Sequence, residues 1–418
     1  MPTFITGHAT HPDAHGALAL VAAQIDAQIN ARHAERAPAW LATLGWIYLT
    51  DKLAPHADAL LAELQQRWPG VHWVGNVGAG VLASGVEYLD EPALVLMLSD
   101  LPREGFQIFN GRQPLPAGWA HSALVHADPA THDLPELITE LAGRSRSGYL
   151  FGGLTASRTR RLHIADAVFE GGLSGVGFAP GPAPAWRLVS RVTQGCQPLG
   201  PARHITAAER NLVLQLDGQP ALPLLLAELG VSLQQPQAAL AALRNTLVGL
   251  TDGADAVLSR GGQFGADTRV RHLIGIDPLR QGIAIAEQTG VGQQLTFCRR
   301  DMAAARRDLV RICAEIRDEV EAEVDSDAEA DAATGSAVPA RAAAAGDGPA
   351  PAPARIAGAL YVSCSGRGGP HFGAPSAEAQ IVQHALGDVP LVGFFAGGEI
   401  AHHHIYGYTG VLTVFVAL

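Results

Sequence analysis

Residues 359–416 read ALYVSCSGRGGPHFGAPSAEAQIVQHALGDVPLVGFFAGGEIAHHHIYGYTGVLTVFV. The stretch opens on an apolar strand, 359–363, which runs into a glycine-rich loop at 364–375. A helix follows, with Ala379, Ile381, Val382 and Leu386 at helical spacing. A second apolar run at 391–393, a loop at 396–399 and a strand at 411–416 complete the unit. The order is strand, loop, helix, strand, glycine loop, strand.

The same order occurs upstream. A first copy has a strand at 44–49, a polar loop at 50–56, a helix carrying Ala59, Leu60 and Leu64, a run at 71–75, a glycine loop through Gly80 and a strand at 93–98. Another has a strand at 123–126, a loop at 127–133, a helix with Leu134, Leu137, Ile138 and Leu141, a run at 149–153 and a strand near 175–179. Without gaps, Gly75 aligns with Gly393, Gly80 with Gly398, Tyr88 with Tyr406 and Leu94 with Leu412. This is internal duplication, with a period too long and irregular for a solenoid. Strands alternating with helices predict a mixed α/β (α+β) fold: two similar halves of duplicated units, sheets covered by helices. The matching glycines point either to close packing of elements or to backbone approaching a ligand.

Around these copies, Leu18, Val21, Ile25 and Ile29 predict a helix over 13–36 with Asp13 as its N-cap. The middle is β-rich: strands at 186–194 and 211–216, the latter ending at the turn pair Asp217-Gly218. Pro220 suits the first turn of a helix reaching about residue 229. A hairpin joins 270–276 to 282–286 through Asp277-Pro278, and 295–298 continues the sheet. Asp301 caps a helix whose apolar face is Met302, Leu309, Ile312 and Ile316. Residues 321–354 are acidic, then rich in Ala, Pro and Gly, and predict a disordered insertion. The expected division is an N-terminal helical segment over 1–37 and two domains over 38–218 and 219–418, the second interrupted at 321–354.

Composition narrows the function. Of the 418 residues, 48% are hydrophobic and 17% charged, so the chain buries a large core. The net charge is −11, but eight acids and no base fall within 318–331, so the remainder carries −3. No Lys/Arg stripe tracks phosphates, which argues against a nucleic-acid partner. The N-terminus lacks the pattern of a secretory signal, and no apolar run is long enough for a membrane span. Cys196, Cys298, Cys313 and Cys364 form no CxxC pair. The expectation is a soluble, cytoplasmic protein with reduced thiols.

Candidate site residues concentrate where strands end, the usual address of ligand sites in α/β sheets. Arg367 among glycines suits a carboxylate, against a structural ion pair with Glu399 or an aspartate. Glu399 suits a ligand amine, against pairing with Arg367. The amides of Gly366, Gly368 and Gly369 suit an anion-binding nest, with Ser365, Gly397 and Gly398 beside them. Asn76, Thr50 and Asp51 hold broadly comparable places in the first copy. Cys364 with His371 as base is the catalytic alternative, against a buried, inert thiol. His402, His403 and His404 are consecutive, so a regular strand cannot aim all three at one metal ion; no metal site is expected. No GxGxxG opens a helix, so no dinucleotide cofactor is expected.

The segment SCSGRG…FG…E…VGF…GGEI resembles the C-terminal FIST domain. VGNVGAGV from Val74, FGGL from Phe151 and QPLGPARHITAAERNLVLQLDGQPAL from Gln197 resemble the N-terminal FIST domain and its junction. The resemblance runs from about residue 38 to the end. It implies a sensory protein that binds a small ligand, an amino acid or similar metabolite, and signals to a downstream partner. No attached output domain is present in the sequence. It supplies no catalytic residues. A thiol-dependent hydrolase or transferase using Cys364, and a protein-interaction adaptor docking through the acidic segment, stand as alternatives.

Overall fold

Repetition in the sequence becomes three units built to one plan in the computed structural model, which describes residues 2–35, 40–179, 186–252, 268–333 and 355–417. The first unit comprises β1 (Phe4–Thr10), α1 (Ala14–Glu35), β2 (Leu44–Thr50), α2 (Ala57–Arg67), β3 (His72–Gly78), a hairpin of β4 (Gly80–Ala83) and β5 (Val86–Leu89), and β6 (Ala93–Ser99). The second comprises β7 (Phe106–Phe109), β8 (Ser122–Ala127), α3 (Leu134–Arg144), β9 (Tyr149–Leu154), the hairpin β10 (Leu162–Ala165) and β11 (Val168–Glu170), and β12 (Leu173–Phe178). The third opens with β13 (Trp186–Gln194). An inserted eight-stranded sheet, β14 to β21 within 196–300, follows with α4 (Ala221–Leu229) and α5 (Pro236–Arg244). The unit resumes with α6 (Met302–Ala333), β22 (Arg355–Cys364), α7 (Ala377–Leu386), β23 (Leu391–Ala396), the hairpin β24 (Glu399–His402) and β25 (His404–Tyr406), and β26 (Thr409–Ala417).

In every unit two central strands run parallel: β2 with β3, β8 with β9, β22 with β23. The last strand and then the first flank them antiparallel. The hairpin, however, joins a different unit's sheet. β4 pairs with β23, β10 with β3, and β24 with β9. Each six-stranded sheet is therefore completed by another unit's hairpin, round a closed ring of three.

Burial on both faces explains the continuous apolar runs. β2 is buried at every position. Alternate side chains serve different cores: Ile47 and Leu49 lie beneath α1 and α2, while Trp46 and Tyr48 face the centre of the molecule. The third sheet's outer face is covered by α6 and α7, and the second's by α3. The inner faces of all three sheets meet in one cluster. There the Phe415 ring of the third sheet lies 4.7 Å from Phe4 and 5.5 Å from Trp46 of the first sheet and 5.6 Å from Phe178 of the second.

The aligned glycines have a packing cause. A Cβ on Gly75 would sit 1.7 Å from the Ile47 carbonyl oxygen, and one on Gly393 would sit 1.7 Å from that of Tyr361. Gly152 occupies the same place in the second unit, 2.0 Å from the Val125 oxygen. No side chain fits between these parallel strands, so the close-packing reading of the glycines holds here.

Several expectations shift. The repeat resolves into three interlocked units rather than two halves, and a strand, β1, precedes the N-terminal helix. Asp13 caps that helix through its carboxylate, which accepts from the Gly16 N–H at 2.6 Å. Residues 321–333, assigned to a disordered insertion, continue α6; residues 334–354 lie outside the described residues. Upstream in α6, Glu319 pairs with Arg187 at 3.0 Å and Glu315 with Arg191 at 3.5 Å, fastening the helix over β13. No helix among the described residues is long and apolar enough to cross a membrane.

Candidate functional site

A cavity of about 840 Å³ lies at the carboxyl ends of β22 and β23. Its floor is the loop after β22, Cys364, Ser365 and Gly366, with Gly397 and Gly398 from the loop after β23. Tyr406 and Tyr408 close one side, and the first turns of α3 another, through Pro135, Glu136 and Thr139. The inserted sheet supplies the remaining wall: Arg269, Arg271 and His272 from β19 (Arg269–Asp277), with Glu287.

The charged groups of that wall are already matched to one another. Arg269 donates to Asp252 at 2.9 and 3.1 Å and to Glu287 at 3.1 Å. These hydrogen bonds hold the Asp252 carboxyl down at about 2. Arg271 pairs with Glu287 and donates to the Ile405 carbonyl at 2.8 Å. His272 Nε2 and the Tyr408 hydroxyl are 2.7 Å apart. Burial, then the neighbouring Arg269 and His403, pull His404 down to about 4, so its imidazole is uncharged at neutral pH. The inserted-sheet side of the cavity thus presents the uncharged His404 imidazole, the Tyr408 hydroxyl and glycine backbone on a wall stiffened by internal ion pairs, while Glu136 of α3 adds a carboxylate opposite.

The predicted ion-pair clamp is not part of this wall. Arg367 is fully buried, with Nε 3.1 Å and Nη2 3.0 Å from Glu378 Oε1. Glu378, also fully buried at the start of α7, accepts from the Tyr361 hydroxyl at 2.6 Å and the Ser363 hydroxyl at 2.9 Å. Glu399 is fully buried too and accepts from the Thr409 N–H and hydroxyl at 3.1 and 2.6 Å. Neither Arg367 nor Glu399 lines the cavity: Glu378 meets the Arg367 charge, and Glu399 is turned inward onto Thr409.

Cys364, Ser365, Gly366, Gly397 and Gly398 do converge on it. Gly368 does not; it packs against Phe395, and a Cβ there would lie 2.6 Å from the ring. The glycine-loop nest is filled from within. Glu87, on the first unit's hairpin, accepts from the N–H groups of Gly369, Glu378 and Ala379 at 3.2, 2.9 and 3.0 Å. This carboxylate sits where an external anion was expected. Asn76 is not in a loop; it lies wholly buried in β3, with neither amide atom hydrogen-bonded.

The catalytic alternative finds no activated thiol. Burial, with the nearby Glu399 carboxylate, pushes Cys364 up to about 12. Burial, with Arg300 and Arg367, pulls His371 down to about 4. His402 to His404 form the tight end of the β24–β25 hairpin, with His402 at φ 52°. No group of metal-ligating side chains occurs among the described residues.

Sequence reasoning missed Glu378, Glu87 and the β19 wall. An acid in the first turn of a helix facing a glycine–arginine loop was the available signal for Glu378. Nothing local marked Glu87, because its partners are about 290 positions away.

Residues 43–219 match the FIST N domain, and residues 221–402 match the FIST C domain. The chain belongs to the FIST family. An uncharacterized protein of Mycobacterium bovis (strain ATCC BAA-935 / AF2122/97) is 32% identical over 440 residues, covering 98% of each chain. An uncharacterized protein of Mycobacterium tuberculosis (strain CDC 1551 / Oshkosh) is 30% identical over 441 residues, again covering 98% of each. FIST domains are associated with sensory signal transduction.

Proposed function

We propose that this FIST chain is a sensory protein that binds a small polar metabolite in the cavity between the third unit and the inserted sheet. The observation that carries the reading is an asymmetry between equivalent places. By strand register, Thr50, Ala79 and Asp90 of the first unit correspond to Cys364, Gly397 and Tyr408 of the third. The first unit's loops enclose about 300 Å³; the third's, roofed by the inserted sheet, enclose about 840 Å³. An inserted domain that deepens one of two equivalent hollows fits a ligand-binding purpose. The larger volume falls within the range of metabolite and cofactor sites, roughly 300–1,000 Å³. It exceeds what one free amino acid fills, so amino acids are the first class to test and their larger conjugates the second.

The cavity's polar groups define recognition. His403, His404 and Tyr408 offer donors and acceptors, and the Gly366 and Gly397 backbones can approach a ligand closely. A cytoplasmic setting agrees with four free, buried cysteines. A downstream signalling protein that reads the liganded form is part of the same proposal.

Thermal-shift screening of amino acids and related metabolites tests it. A ligand at 100 times its Kd stabilises the fold by about 2.7 kcal/mol. Gly366→Leu directs a side chain toward Tyr408 and Arg300, whose nearest atoms are 3.4 and 3.6 Å from a Cβ at this position. This variant is expected to fold and to lose the shift. A full panel without any shift, or a shift that survives Gly366→Leu, sinks the reading.

A further inference from the structure

The smaller hollow, at the carboxyl end of β2, has features of its own. Thr155 lines it and is 1% exposed, yet the Thr155 hydroxyl has no hydrogen-bond partner. A buried hydroxyl left unpaired is costly, and native structures rarely keep one without a use. The same inner sheet faces hold more unpaired polar atoms: both amide atoms of Asn76, and Nδ1 of His126, whose Nε2 lies 3.3 Å from the Tyr48 hydroxyl. His126 stands opposite Gly153 in the parallel ladder, two residues before Thr155.

The rim above Thr155 holds two cations that no carboxylate among the described residues engages. Asp51, at the mouth, is committed: its Oδ1 accepts from the hydroxyls of Ser157 and Thr159 and from the backbone N–H groups of Arg158 and Thr159. The Asp90 carboxylate is committed to Arg158 at 3.1 Å. Lys52 meets only the Asp90 carbonyl, and Arg161 has neither a hydrogen-bond nor an ion-pair partner among the described residues. Glu91 pairs with no cation among the described residues, so the rim is balanced at three acids and three cations, with Lys52 and Arg161 the two cations outside any ion pair.

We propose that this hollow is a second ligand site, for a small hydroxycarboxylate. Its carboxylate meets Arg161 and Lys52 at the rim, and its hydroxyl meets Thr155 at the floor. A fixed guanidinium fork and a mobile ammonium both suit a carboxylate. The volume of about 300 Å³ suits a molecule of a few heavy atoms. Only one layer of backbone divides the two hollows. The Gly397 N–H donates to the Leu154 carbonyl at 3.0 Å; Gly397 lines the larger and Thr155 the smaller.

The test is calorimetric titration of the full chain with glycolate, L-lactate and L-malate, repeated on Thr155→Val, Arg161→Gln and Gly366→Leu. Thr155→Val keeps the shape and removes the hydroxyl, so its melting temperature without ligand should be unchanged or higher. At least one probe is expected to bind the native chain and Gly366→Leu alike, and about tenfold or more weakly to each of the other two. Binding lost in Gly366→Leu would place the probe in the larger cavity and overturn the proposal, leaving the first reading intact. No binding by any probe, or equal binding by Thr155→Val and Arg161→Gln, overturns it as well.

Discussion

The Arg367 guanidinium lies 3.0 Å from the Glu378 carboxylate, and both side chains are fully buried. The pair ties the loop after β22 to the first turn of α7, and Arg367 lies over the Phe372 ring at 5.2 Å. Removing one partner strands the other charge in the interior. Arg367→Ala is therefore expected to lower stability by about 3–5 kcal/mol. Arg367→Met with Glu378→Gln, which keeps an acceptor for Tyr361 and Ser363, is expected to lose less. Urea unfolding measures both, and an Arg367→Ala chain as stable as the native one would contradict the pair's structural role.

Glu399 gives the fold a pH dependence whose sign follows from its burial. Burial raises its carboxyl from the usual 4.5 to about 7, against the opposing hydrogen bonds from Thr409 and the attraction of Arg367. The folded state therefore holds this proton more tightly than the unfolded chain does. Stability from this group is complete below about pH 4.5 and is lost as pH rises to about 7, a change on the order of 3 kcal/mol. Glu399→Gln removes the titration while retaining an acceptor for the Thr409 hydroxyl. The stability difference between variant and native chain is expected to grow in the variant's favour from about pH 5 to about pH 8. A difference that stays flat over that interval would refute the assignment.

Gly75 and Gly393 are expected to be intolerant of any side chain. Gly75→Ala and Gly393→Ala place a methyl 1.7 Å from a neighbouring carbonyl oxygen, which forces β2 from β3 or β22 from β23. Gly111→Ala, with nothing within 4 Å of the new methyl, is the control and should be neutral. Soluble expression and circular dichroism distinguish the outcomes. Folded protein from either of the first two would show that the parallel pairs can spread.

Cys364 should behave as a protonated, slow thiol. With its thiol pushed up to about 12, iodoacetamide at about pH 8 is expected to modify it far more slowly than a free cysteine. His371→Ala should leave that rate unchanged. Rapid, His371-dependent alkylation would revive the catalytic reading.

Much of the fold was legible because period and length are local signals. β13 and the Asp13-capped helix appear where alternation and capping place them, and the repeated glycines mark the parallel pairs. The short hairpins were hidden. β4 and β24 are four residues each, and their partners lie in another unit, so nothing near them in sequence announces a strand. The site was legible only in part for the same reason. Cys364 to Gly366 could be placed at a strand end, but Arg367 and Glu399 were assigned to a ligand because folding, not local pattern, sets them against Glu378 and Thr409, 11 and 10 residues further on. The β19 wall belongs to an inserted sheet whose position over the cavity is set by tertiary packing alone.

The ring of exchanged hairpins bears on how this protein is made and dissected. The boundary near residue 220 separates two stretches of homology, yet the chain crosses it structurally several times: β4 completes a sheet of the later stretch, and β24 completes one of the earlier. Cutting there would leave each fragment with bare strand edges and a missing edge-capping ribbon, a recipe for aggregation. The nascent first half must wait for residues near 400 before its second sheet is whole, so the last unit to leave the ribosome acts as the keystone for both halves.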